Sequence, residues 1–346
     1  MNSRPGWTAL HAQLHRCLKQ RQLVNQGQRL LIAVSGGQDS VCLARLPRDL
    51  QSRWQWHLGL AHCDHRWRSD SQRNASFVEQ LATTWQLPYY QETALEIPRS
   101  EATARHWRYQ CLAEIAQQQE FSAVLTAHTA SDRAETLLFN LVRGSGADGL
   151  QALTWQRCLA PGIGLIRPLL GVTRQQTRQF CQEQHLPVWE DITNQDLTYS
   201  RNRIRQELIP YLKTHLNPQA ELNLAQTAEL LQADVDYLEA QASQILTSLS
   251  QPPRHLVEVA LSPSTQYQLG LQRRQLQQYH LALQRRVIRQ LLRHLLPCHP
   301  KFEDVEKVLD LVSAPNRSRT DPLPGGTIAE ALGDWIWFIV PKAKDC

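Results

Sequence analysis

The stretch Leu31-Ile-Ala-Val-Ser35-Gly36-Gly37-Gln38-Asp39-Ser40 decides the fold of this chain. Four apolar residues typical of a buried strand run directly into a glycine turn, and the sequence becomes helical near Ser40. Two adjacent glycines allow a tight turn that brings backbone N–H groups close to a ligand, and the start of a helix favours negative charge. The stretch therefore predicts a phosphate-binding loop between a first strand and the helix that follows it.

The side chains of this loop indicate which ligand it holds. The hydroxyl groups of Ser35 and Ser40 can add donors to the backbone N–H groups of the turn. Asp39 would repel a phosphate unless a divalent cation lay between them, so it predicts Mg²⁺ with Asp39 as a ligand. A strand-to-helix turn capped by Ser or Asp is the structural alternative, and the lack of GxxxxGK followed by Ser or Thr disfavours a Walker-type NTPase. The predicted nucleotide-binding residues of the loop are Ser35, Gly36, Gly37, Gln38, Asp39 and Ser40.

Short apolar runs alternate with longer helical segments from about residue 29 to 190. This alternation is typical of βαβ units, in which helices cover both faces of a parallel sheet. The sequence therefore predicts an α/β fold with a parallel sheet sandwiched by helices. We expect strands at residues 29–34, 57–62, 88–93 and 123–127, and helices at 71–86, 101–119 and 131–142.

The composition changes after Pro210, where Gln- and Leu-rich helical sequence begins. Asn217 precedes a proline, which disfavours helix in the residue before it, and so marks a linker. We therefore predict two domains: the α/β domain over residues 1–216 and a smaller, mainly helical domain over residues 217–346.

Three features describe the smaller domain. A long apolar stripe predicts a helix of about 28 residues, and residues 327–340 predict a short β-hairpin around Gly333-Asp334. A second helical stretch, residues 272–296, carries basic residues on one side, which indicates either a surface for a polyanion or a solvated face. Those basic residues are Arg286, Arg289 and Arg293.

The whole-chain composition limits the classes of function. The 346 residues carry a formal net charge of +5, which is compatible with a polyanionic partner but does not establish one. Eight cysteines lie singly without a CxxC pair, which favours reduced thiols over a zinc site. The longest apolar runs fall far short of the roughly 20 residues that cross a bilayer, and the N-terminus lacks a signal-peptide pattern. We therefore expect a cytoplasmic protein without a membrane partner, and the sequence leaves a homodimer open.

Polar residues follow the second predicted strand. His62, Asp64 and His65 lie at its carboxyl end, where open α/β sheets bind ligands, so we expect them to border the same crevice as the loop. Side chains alternate in direction along an extended strand, and an HxDH stretch therefore seldom converges on one metal ion.

Two later segments bring further charged residues to this edge of the sheet. Arg108 lies on the apolar stripe of a predicted helix, where it needs an anionic partner, either a carboxylate of the fold or a phosphate. His128, Asp132 and Glu135 follow the fourth predicted strand. Acids near a helix start often only cap the helix or complement its dipole; the functional alternative is a site for an amine-bearing cosubstrate.

The loop and the strand-end motif resemble those of the tRNA(Ile)-lysidine synthetases, a family of PP-loop adenylating enzymes. The loop matches their SGGxDS signature, and the residues after the second strand match a His-x-Asn/Asp-His stretch, followed by Arg68, that borders the adenine site. The usual Gly-Leu after the second His is Arg66-Trp67 here. The resemblance is close over residues 29–215 and looser beyond them, and it implies the adenine nucleotide α-hydrolase type of fold.

Three further motifs carry the same resemblance. Arg108, together with Arg105, matches the ARxxRY pattern of the family. The chain also matches the AHxxDDxxET segment of the family, except that Ser131 replaces the first of its two acids. It matches an RNRxR segment as well, which lies near the target nucleotide in the family. The matching residues of these last two motifs are His128, Asp132, Glu135, Arg201 and Arg205.

The resemblance implies a reaction and its partners. Enzymes of this family split ATP between the α and β phosphates with Mg²⁺ and attach AMP to O2 of the wobble cytidine in the CAU anticodon of an isoleucine tRNA. Free L-lysine then displaces AMP, which forms lysidine and changes the codon read from AUG to AUA. The resemblance implies catalytic roles for Asp39, Arg108, His128, Asp132, Glu135 and Arg201.

Two sets of binding residues complete the prediction. His62, Asp64 and His65 are expected to contact the nucleotide together with the loop. We expect tRNA contacts, through phosphates and therefore sensitive to salt, from Arg68, Arg205, Arg286, Arg289 and Arg293.

Three other functions stay open beside this one. A tRNA thiolase shares the loop, but the related 2-thiocytidine synthetases carry CxxC pairs for an iron–sulfur cluster. A small-molecule PP-loop ligase, such as NAD or GMP synthetase, would not need a basic helical domain. A non-catalytic adenine-nucleotide sensor would bind ATP without consuming it and would not need Asp39, Asp132 and Glu135 around one crevice.

Overall fold

The computed structural model describes residues 7–67, 70–189, 197–251 and 267–340. Contacts between residues divide the chain into two compact units, Met1–Gln232 and Ala233–Cys346. This division falls inside the long helix Ala220–Leu249, whereas the sequence predicts a boundary between residues 216 and 217. The earlier boundary stays a prediction about the functional domains.

A six-stranded sheet forms the centre of unit 1. Its strands run in the order β3-β2-β1-β4-β6-β5, and every pair is parallel except the edge pair β5 and β6. The predicted parallel α/β fold is therefore confirmed, and the four predicted strands correspond to β1 to β4. The sequence did not predict β5 and β6. The strands are β1 Arg29–Ala33, β2 His57–Asp64, β3 Tyr89–Thr93, β4 Ala123–Leu125, β5 Gln156–Ala160 and β6 Ile163–Ile166.

The three helices predicted in unit 1 form within two residues of their predicted ends. Local capping explains several starts: Ser100 accepts a hydrogen bond from the backbone N–H of Thr103, and Thr129 does the same for Asp132. The helices of this unit are α1 Ala9–Gln20, α2 Gln38–Trp54, α3 Ser71–Trp85, α4 Glu101–Gln118, α5 Ala130–Val142, α6 Ala147–Leu150, α7 Arg174–Glu183, α8 Ser200–Arg203 and α9 Ile209–His215, followed by α10 Ala220–Leu249.

Strand β1 is buried on both of its faces. Leu30 and Ile32 pack into one hydrophobic cluster and Leu31 into a second one, and all three are fully buried. Successive side chains point to opposite faces of a sheet, so a strand covered on both sides must be apolar at every position. This burial fixes the point at which the phosphate loop leaves the sheet.

Unit 2 contains a four-stranded antiparallel sheet in the order β7-β8-β10-β9. The predicted hairpin is present as β9 and β10, but the sequence did not predict that β7 and β8 extend it. Helix α12 begins at Leu281 rather than at residue 272, because Gln272 ends β8 and His280 caps α12. The elements are β7 Ser250–Gln251, β8 Tyr267–Gln272, α11 Arg273–Leu276, α12 Leu281–Leu295, α13 Phe302–Ser313, β9 Ile328–Leu332 and β10 Trp335–Ile339.

The sheet of unit 2 packs against α12 and α13. Val287 and Leu291 of α12 lie with Ile336 and Phe338 of β10 in one buried cluster. The apolar side predicted for this helix is therefore its buried side. None of the helices in the described ranges combines the length and the apolar character needed to span a bilayer.

We expect that alanine is tolerated less well at Gly270 of β8 than at Gly164 of β6. Gly270 lies opposite Trp337 of β10, and a Cβ atom at this position would approach three ring atoms to 2.5, 2.7 and 2.9 Å. The Gly270→Ala substitution is expected to lower the free energy of unfolding by about 1–3 kcal/mol, because the buried indole must move. Urea denaturation followed by circular dichroism measures this loss.

Gly164→Ala is the matched control for this measurement. Gly164 also lies in a strand, β6, but a Cβ atom placed on it would have the Ser122 carbonyl oxygen as its nearest neighbour, at 4.0 Å. We expect a change within about 0.5 kcal/mol for this variant. Equal losses in the two variants would contradict the steric explanation.

Candidate active site

The phosphate loop is a tight turn between β1 and α2. Gly36 has a φ of +88°, which favours glycine, and Gly37 precedes the first residue of α2. Ser40 Oγ donates to the Gly37 carbonyl at 2.8 Å and accepts from the Ser35 backbone N–H at 3.2 Å. The two serines therefore brace the turn in this conformation, and the loop sits at the N-terminus of a helix, as the sequence predicts.

Two residues outside the motif hold the loop from the other side. Asn74 of α3 donates from Nδ2 to the Ser35 carbonyl at 3.0 Å, and the Trp189 backbone N–H donates to the Gly36 carbonyl at 2.9 Å. A Cβ atom on Gly36 would lie 2.4 Å from Asn74 Oδ1. Gly36 is therefore required by a close approach as well as by its φ angle.

One guanidinium connects the three carboxylates that the sequence predicts at the site. Arg174, at the first position of α7, donates to Asp132 Oδ1 at 2.6 Å, to Glu135 Oε1 at 2.8 Å and to Asp39 Oδ2 at 3.3 Å. The loop acid and the two acids of α5 are thus brought around one cation. The predicted convergence of Asp39, Asp132 and Glu135 is present in the structure.

Arg174 is not among the residues that the sequence patterns predict at the site. Its backbone N–H donates to Ser131 Oγ at 2.9 Å, so the serine that replaces an acid of the family motif helps to place it. An arginine at the start of a helix opposes the helix dipole and is expected there only beside negative charge. That conflict is the signal by which the sequence could have revealed this residue.

Asp39 is also bound by α7 and by its own loop. Thr177 Oγ1 donates to Asp39 Oδ1, and Gln38 Nε2 lies 3.4 Å from the same oxygen. The Gln38 amide donates to the Arg174 carbonyl at 2.9 Å as well. Gln38, predicted to contact the nucleotide, therefore directs its side chain toward α7.

Burial and charge act in opposite directions on the two aspartates. Burial raises the pKa of Asp39 above its ordinary value, although Arg174 opposes the shift. Burial also acts to raise the pKa of Asp132, but Arg174 and the hydrogen bonds from Thr129 more than compensate, and the pKa is lowered. For Arg174 burial lowers the pKa and the three carboxylates raise it above its ordinary value. The cation at the centre of the site is thus permanently charged.

Glu135 binds a second arginine. It is 3% exposed, and Arg205 donates to it in a bidentate arrangement, from Nε to Oε1 at 2.8 Å and from Nη2 to Oε2 at 3.0 Å. Arg205 Nη2 also lies 3.7 Å from Asp132 Oδ1. Arg205, predicted to contact tRNA, is therefore part of the same charge network.

His128 lies between this network and a group of arginines. Its Nδ1 shares a hydrogen bond of 3.1 Å with Thr126 Oγ1. Burial, together with the charges of Arg167 and Arg108, lowers the pKa of His128 to about 3 against the opposing effect of Asp132. The imidazole is thus neutral near pH 7 and offers one donor and one acceptor.

The residues after β2 have separate partners. His62 Nδ1 donates to the Val34 carbonyl at 2.8 Å, and burial lowers the pKa of His62. Asp64 Oδ1 accepts from the Arg66 backbone N–H at 2.8 Å, and the ring of His65 lies 4.7 Å from that of Trp67. His62 thus braces the base of the loop, while His65 lies beside an aromatic surface.

Two other predicted site residues of unit 1 contact groups outside this charge network. Arg108 places its guanidinium 5.6 Å from the centre of the Tyr109 ring. Arg201 donates to Glu101 Oε1 at 3.0 Å. Arg68 lies outside the described residues. Within the described ranges no group of three or more His, Cys, Asp or Glu side chains is arranged to hold a metal ion.

The basic residues predicted on α12 have internal partners in unit 2. Arg286 donates to Glu239 Oε1 at 2.6 Å, and Arg289 pairs with the same carboxylate. Gln290 donates to Glu239 Oε2 at 2.7 Å. Arg293 is exposed. Arg286 and Arg289 therefore do not form the solvated face that the sequence left open as an alternative, because they pair with Glu239. The contact of these arginines with tRNA stays a prediction.

Comparison with known proteins places this geometry in a family. The model of the PP-loop domain matches residues 8–212, and the model of the TilS substrate binding domain matches residues 271–331. The tRNA(Ile)-lysidine synthase of Nostoc sp. is 58% identical over 95% of this chain and 96% of its own length. The tRNA(Ile)-lysidine synthase of Synechocystis sp. is 52% identical over 96% and 98%. The chain belongs to the tRNA(Ile)-lysidine synthase family.

A more distant likeness concerns the fold alone. The U34-tRNA thiolase of Methanococcus maripaludis superposes with a TM-score of 0.55 at 12% identity, covering 64% of this chain and 78% of the thiolase chain. The fold predicted from the phosphate loop is thus found in a solved structure as well as in the family model.

Arg174 predicts a pH-dependent loss of stability. In Arg174→Met the three carboxylates lose their shared cation, and we expect the free energy of unfolding at pH 7 to fall by about 2–4 kcal/mol. The lowered pKa of Asp132 means that its contribution is present above its unfolded pKa and is lost as the pH falls through its folded pKa. The difference from the wild type is therefore expected to narrow below about pH 4.

Arg178→Met serves as the control for this experiment. Arg178 is exposed and lies one turn later on the same helix. Denaturation curves at several pH values should show a small and pH-independent effect for it. A loss for Arg174→Met that is equally pH-independent would refute the assigned charge network.

Proposed function

We propose that this chain is an ATP-dependent tRNA(Ile)-lysidine synthase, which adenylates the wobble cytidine of a CAU-anticodon isoleucine tRNA and replaces AMP with L-lysine. The observation that carries the proposal is the convergence of Asp39, Asp132 and Glu135 on one cation beside the phosphate loop. Family membership supports the same reaction. ATP supplies the AMP, and pyrophosphate leaves.

The loop and the helix behind it bind the triphosphate in this proposal. The backbone N–H groups around Gly36 and Gly37 and the N-terminus of α2 favour negative charge. Asp39 supplies one carboxylate beside that charge, which suits Mg²⁺ because this ion takes one or two protein carboxylates together with phosphate oxygens. Mg²⁺ bound there would neutralise charge on the phosphates.

The reaction then needs two displacements. O2 of the cytidine attacks the α-phosphorus, and the bond from that phosphorus to the bridging oxygen breaks as pyrophosphate leaves. An amine of lysine next attacks C2 of the base, and AMP departs with the oxygen. Arg108 and Arg201 are proposed to stabilise negative charge during these steps, and neutral His128 to orient a reacting group by hydrogen bonding.

Asp132 and Glu135 are proposed to bind the lysine ammonium. Together with Asp39 they form a group of three carboxylates. The guanidinium groups of Arg174 and Arg205 supply only two positive charges against them, so a net negative charge remains that favours an ammonium group. An amine must lose its proton before it attacks, and a carboxylate in this position can receive it. This assignment explains why both acids lie on the face of α5 that is directed toward the loop acid.

Further partners belong to the same proposal. The nucleotide is expected to contact His62, Asp64 and His65, and the tRNA to contact the remaining predicted arginines, which are Arg68, Arg205, Arg286, Arg289 and Arg293. A cytoplasmic location agrees with a tRNA substrate. A homodimer stays a prediction that analytical ultracentrifugation of the purified chain tests.

The decisive assay measures release of AMP and pyrophosphate with Mg²⁺, L-lysine and unmodified CAU-anticodon isoleucine tRNA, with each component omitted in turn. Release must require the tRNA, and radiolabelled lysine must enter the RNA. Asp39→Asn is expected to lower the rate at least about 100-fold, whereas Asp234→Asn, an exposed acid in α10, leaves it unchanged. Binding of ATP without turnover would indicate a nucleotide sensor, and turnover without tRNA a small-molecule ligase.

The lysine site gives a separate prediction. Glu135→Gln keeps the shape of the side chain but removes its charge, and we expect KM for lysine to rise about 30-fold or more, with KM for ATP within about twofold of the wild type. The control is Glu183→Gln on α7, which removes an exposed charge. A rise in KM for ATP with an unchanged KM for lysine would assign Glu135 to the nucleotide instead.

A further inference from the structure

Four arginines surround one tyrosine at the edge of the sheet beyond the acids. Tyr109 of α4 has the guanidinium carbons of Arg105, Arg108 and Arg157 at 5.7, 5.6 and 4.7 Å from its ring centre. Arg167, directly after β6, acts on the same phenol. We name Tyr109 with Arg105, Arg108, Arg157 and Arg167 the arginine–tyrosine cluster.

The described residues give this cluster no carboxylate partner. Among the described residues, no Asp or Glu oxygen lies within ion-pair distance of these four guanidinium groups, in contrast to Arg174 and Arg205. Arg167 is 3% exposed; its Nη1 donates to the Thr154 carbonyl at 2.7 Å, and its Nε has no hydrogen-bond partner in the described structure. A buried guanidinium with an unused donor is costly unless an anion completes its surroundings.

The phenolic oxygen of Tyr109 is also buried, and it has no hydrogen-bond partner among the described residues. Burial acts to raise the pKa of Tyr109, but Arg105, Arg108 and Arg167 more than compensate and lower it to about 8. Three positive charges, from α4 and the end of β6, thus act on the phenol, and Arg157 of β5 lies over its ring. His128, which follows β4 beside them, does not add positive charge because it is neutral.

The position of the cluster separates it from the phosphate loop. The loop follows β1, whereas Arg167 follows β6, and β4 lies between these two strands in the sheet. Neighbouring strands are about 4.8 Å apart, so the two sites are roughly 10 Å apart along this edge. A phosphate bound by the cluster is therefore distinct from the phosphates cradled by the loop. His128 follows β4, which is the strand next to β6, and this order places the cluster beside the proposed reaction site.

We propose that the arginine–tyrosine cluster binds a backbone phosphate of the RNA substrate next to the nucleotide that is modified. Guanidinium groups bind phosphate oxygens through paired N–H donors. Four of them, without a carboxylate partner in the described ranges, supply this chemistry. The inference rests on the proposed function, since it needs an RNA substrate. It gives a role to Tyr109, the last residue of the ARxxRY pattern, and adds Arg157, which belongs to none of the motifs.

The first test measures binding of a fluorescently labelled CAU anticodon stem-loop RNA by anisotropy at several salt concentrations. Arg157→Gln and Arg105→Gln are expected to weaken binding about tenfold each at low salt. Each should also reduce the slope of log K against log salt by about 1, as the loss of one phosphate contact requires. Arg178→Gln, the exposed arginine of α7, removes the same charge and should leave both quantities unchanged.

The outcomes distinguish a failure of this inference from a failure of the proposed function. If the wild-type chain does not bind the RNA, the proposed tRNA substrate is wrong. If it binds and the two cluster variants bind equally well, the cluster has no role in RNA binding. ATP affinity, measured by calorimetry on the same variants, should stay within about twofold; a loss of ATP affinity with unchanged RNA affinity would assign the cluster to the nucleotide and overturn the proposal.

Tyr109→Phe provides a second readout that a folding defect does not imitate. In the wild type the phenolate competes with an RNA phosphate, so RNA affinity should fall as the pH rises through about 8. Tyr109→Phe keeps the ring, removes the ionisable group and should bind RNA with an affinity that does not change over this range. An identical pH dependence in both proteins would contradict the competition between phenolate and phosphate.

Discussion

The three contacts of Arg174 with Asp39, Asp132 and Glu135 are the interaction on which the candidate active site depends. They join the phosphate loop to α5 through the first residue of α7, across 135 residues of sequence in the case of Asp39. Three carboxylates at this spacing repel each other, and the shared cation offsets that repulsion. Arg174 thereby allows the three acids to lie together above the carboxyl edge of the sheet.

The same edge of the sheet carries opposite charges at two places. The acids and their paired arginines lie around the start of α5 and α7, whereas the guanidinium groups of the arginine–tyrosine cluster have no acidic partner in the described part of the chain. Neutral His128 lies between them. A site of this kind suits a reaction that brings together an ammonium group and a polyanion, because each finds charge of the opposite sign.

Unit 2 shows why a basic helix face is weak evidence for a nucleic-acid surface. Arg286 and Arg289 share the carboxylate of Glu239 with the amide of Gln290, so part of the positive charge is neutralised inside the unit. The helical spacing of arginines is the same whether they face a solvent-borne phosphate or a carboxylate of a neighbouring helix. Only the tertiary structure, in which Glu239 of α10 lies beside α12, shows that Arg286 and Arg289 face a carboxylate.

The sequence by itself determined the α/β class, the phosphate loop and the strands β1 to β4, because burial on both faces demands continuous apolar runs and a phosphate turn demands glycine. It also determined that His128, Asp132 and Glu135 follow a strand of the central sheet. The short strands β5 and β6, the partner of Arg286 and the central place of Arg174 were decided by the tertiary structure. These features could not be predicted because an ion pair or an edge strand depends on groups that are far apart in the chain. Such pairing produces no periodic pattern in the local sequence.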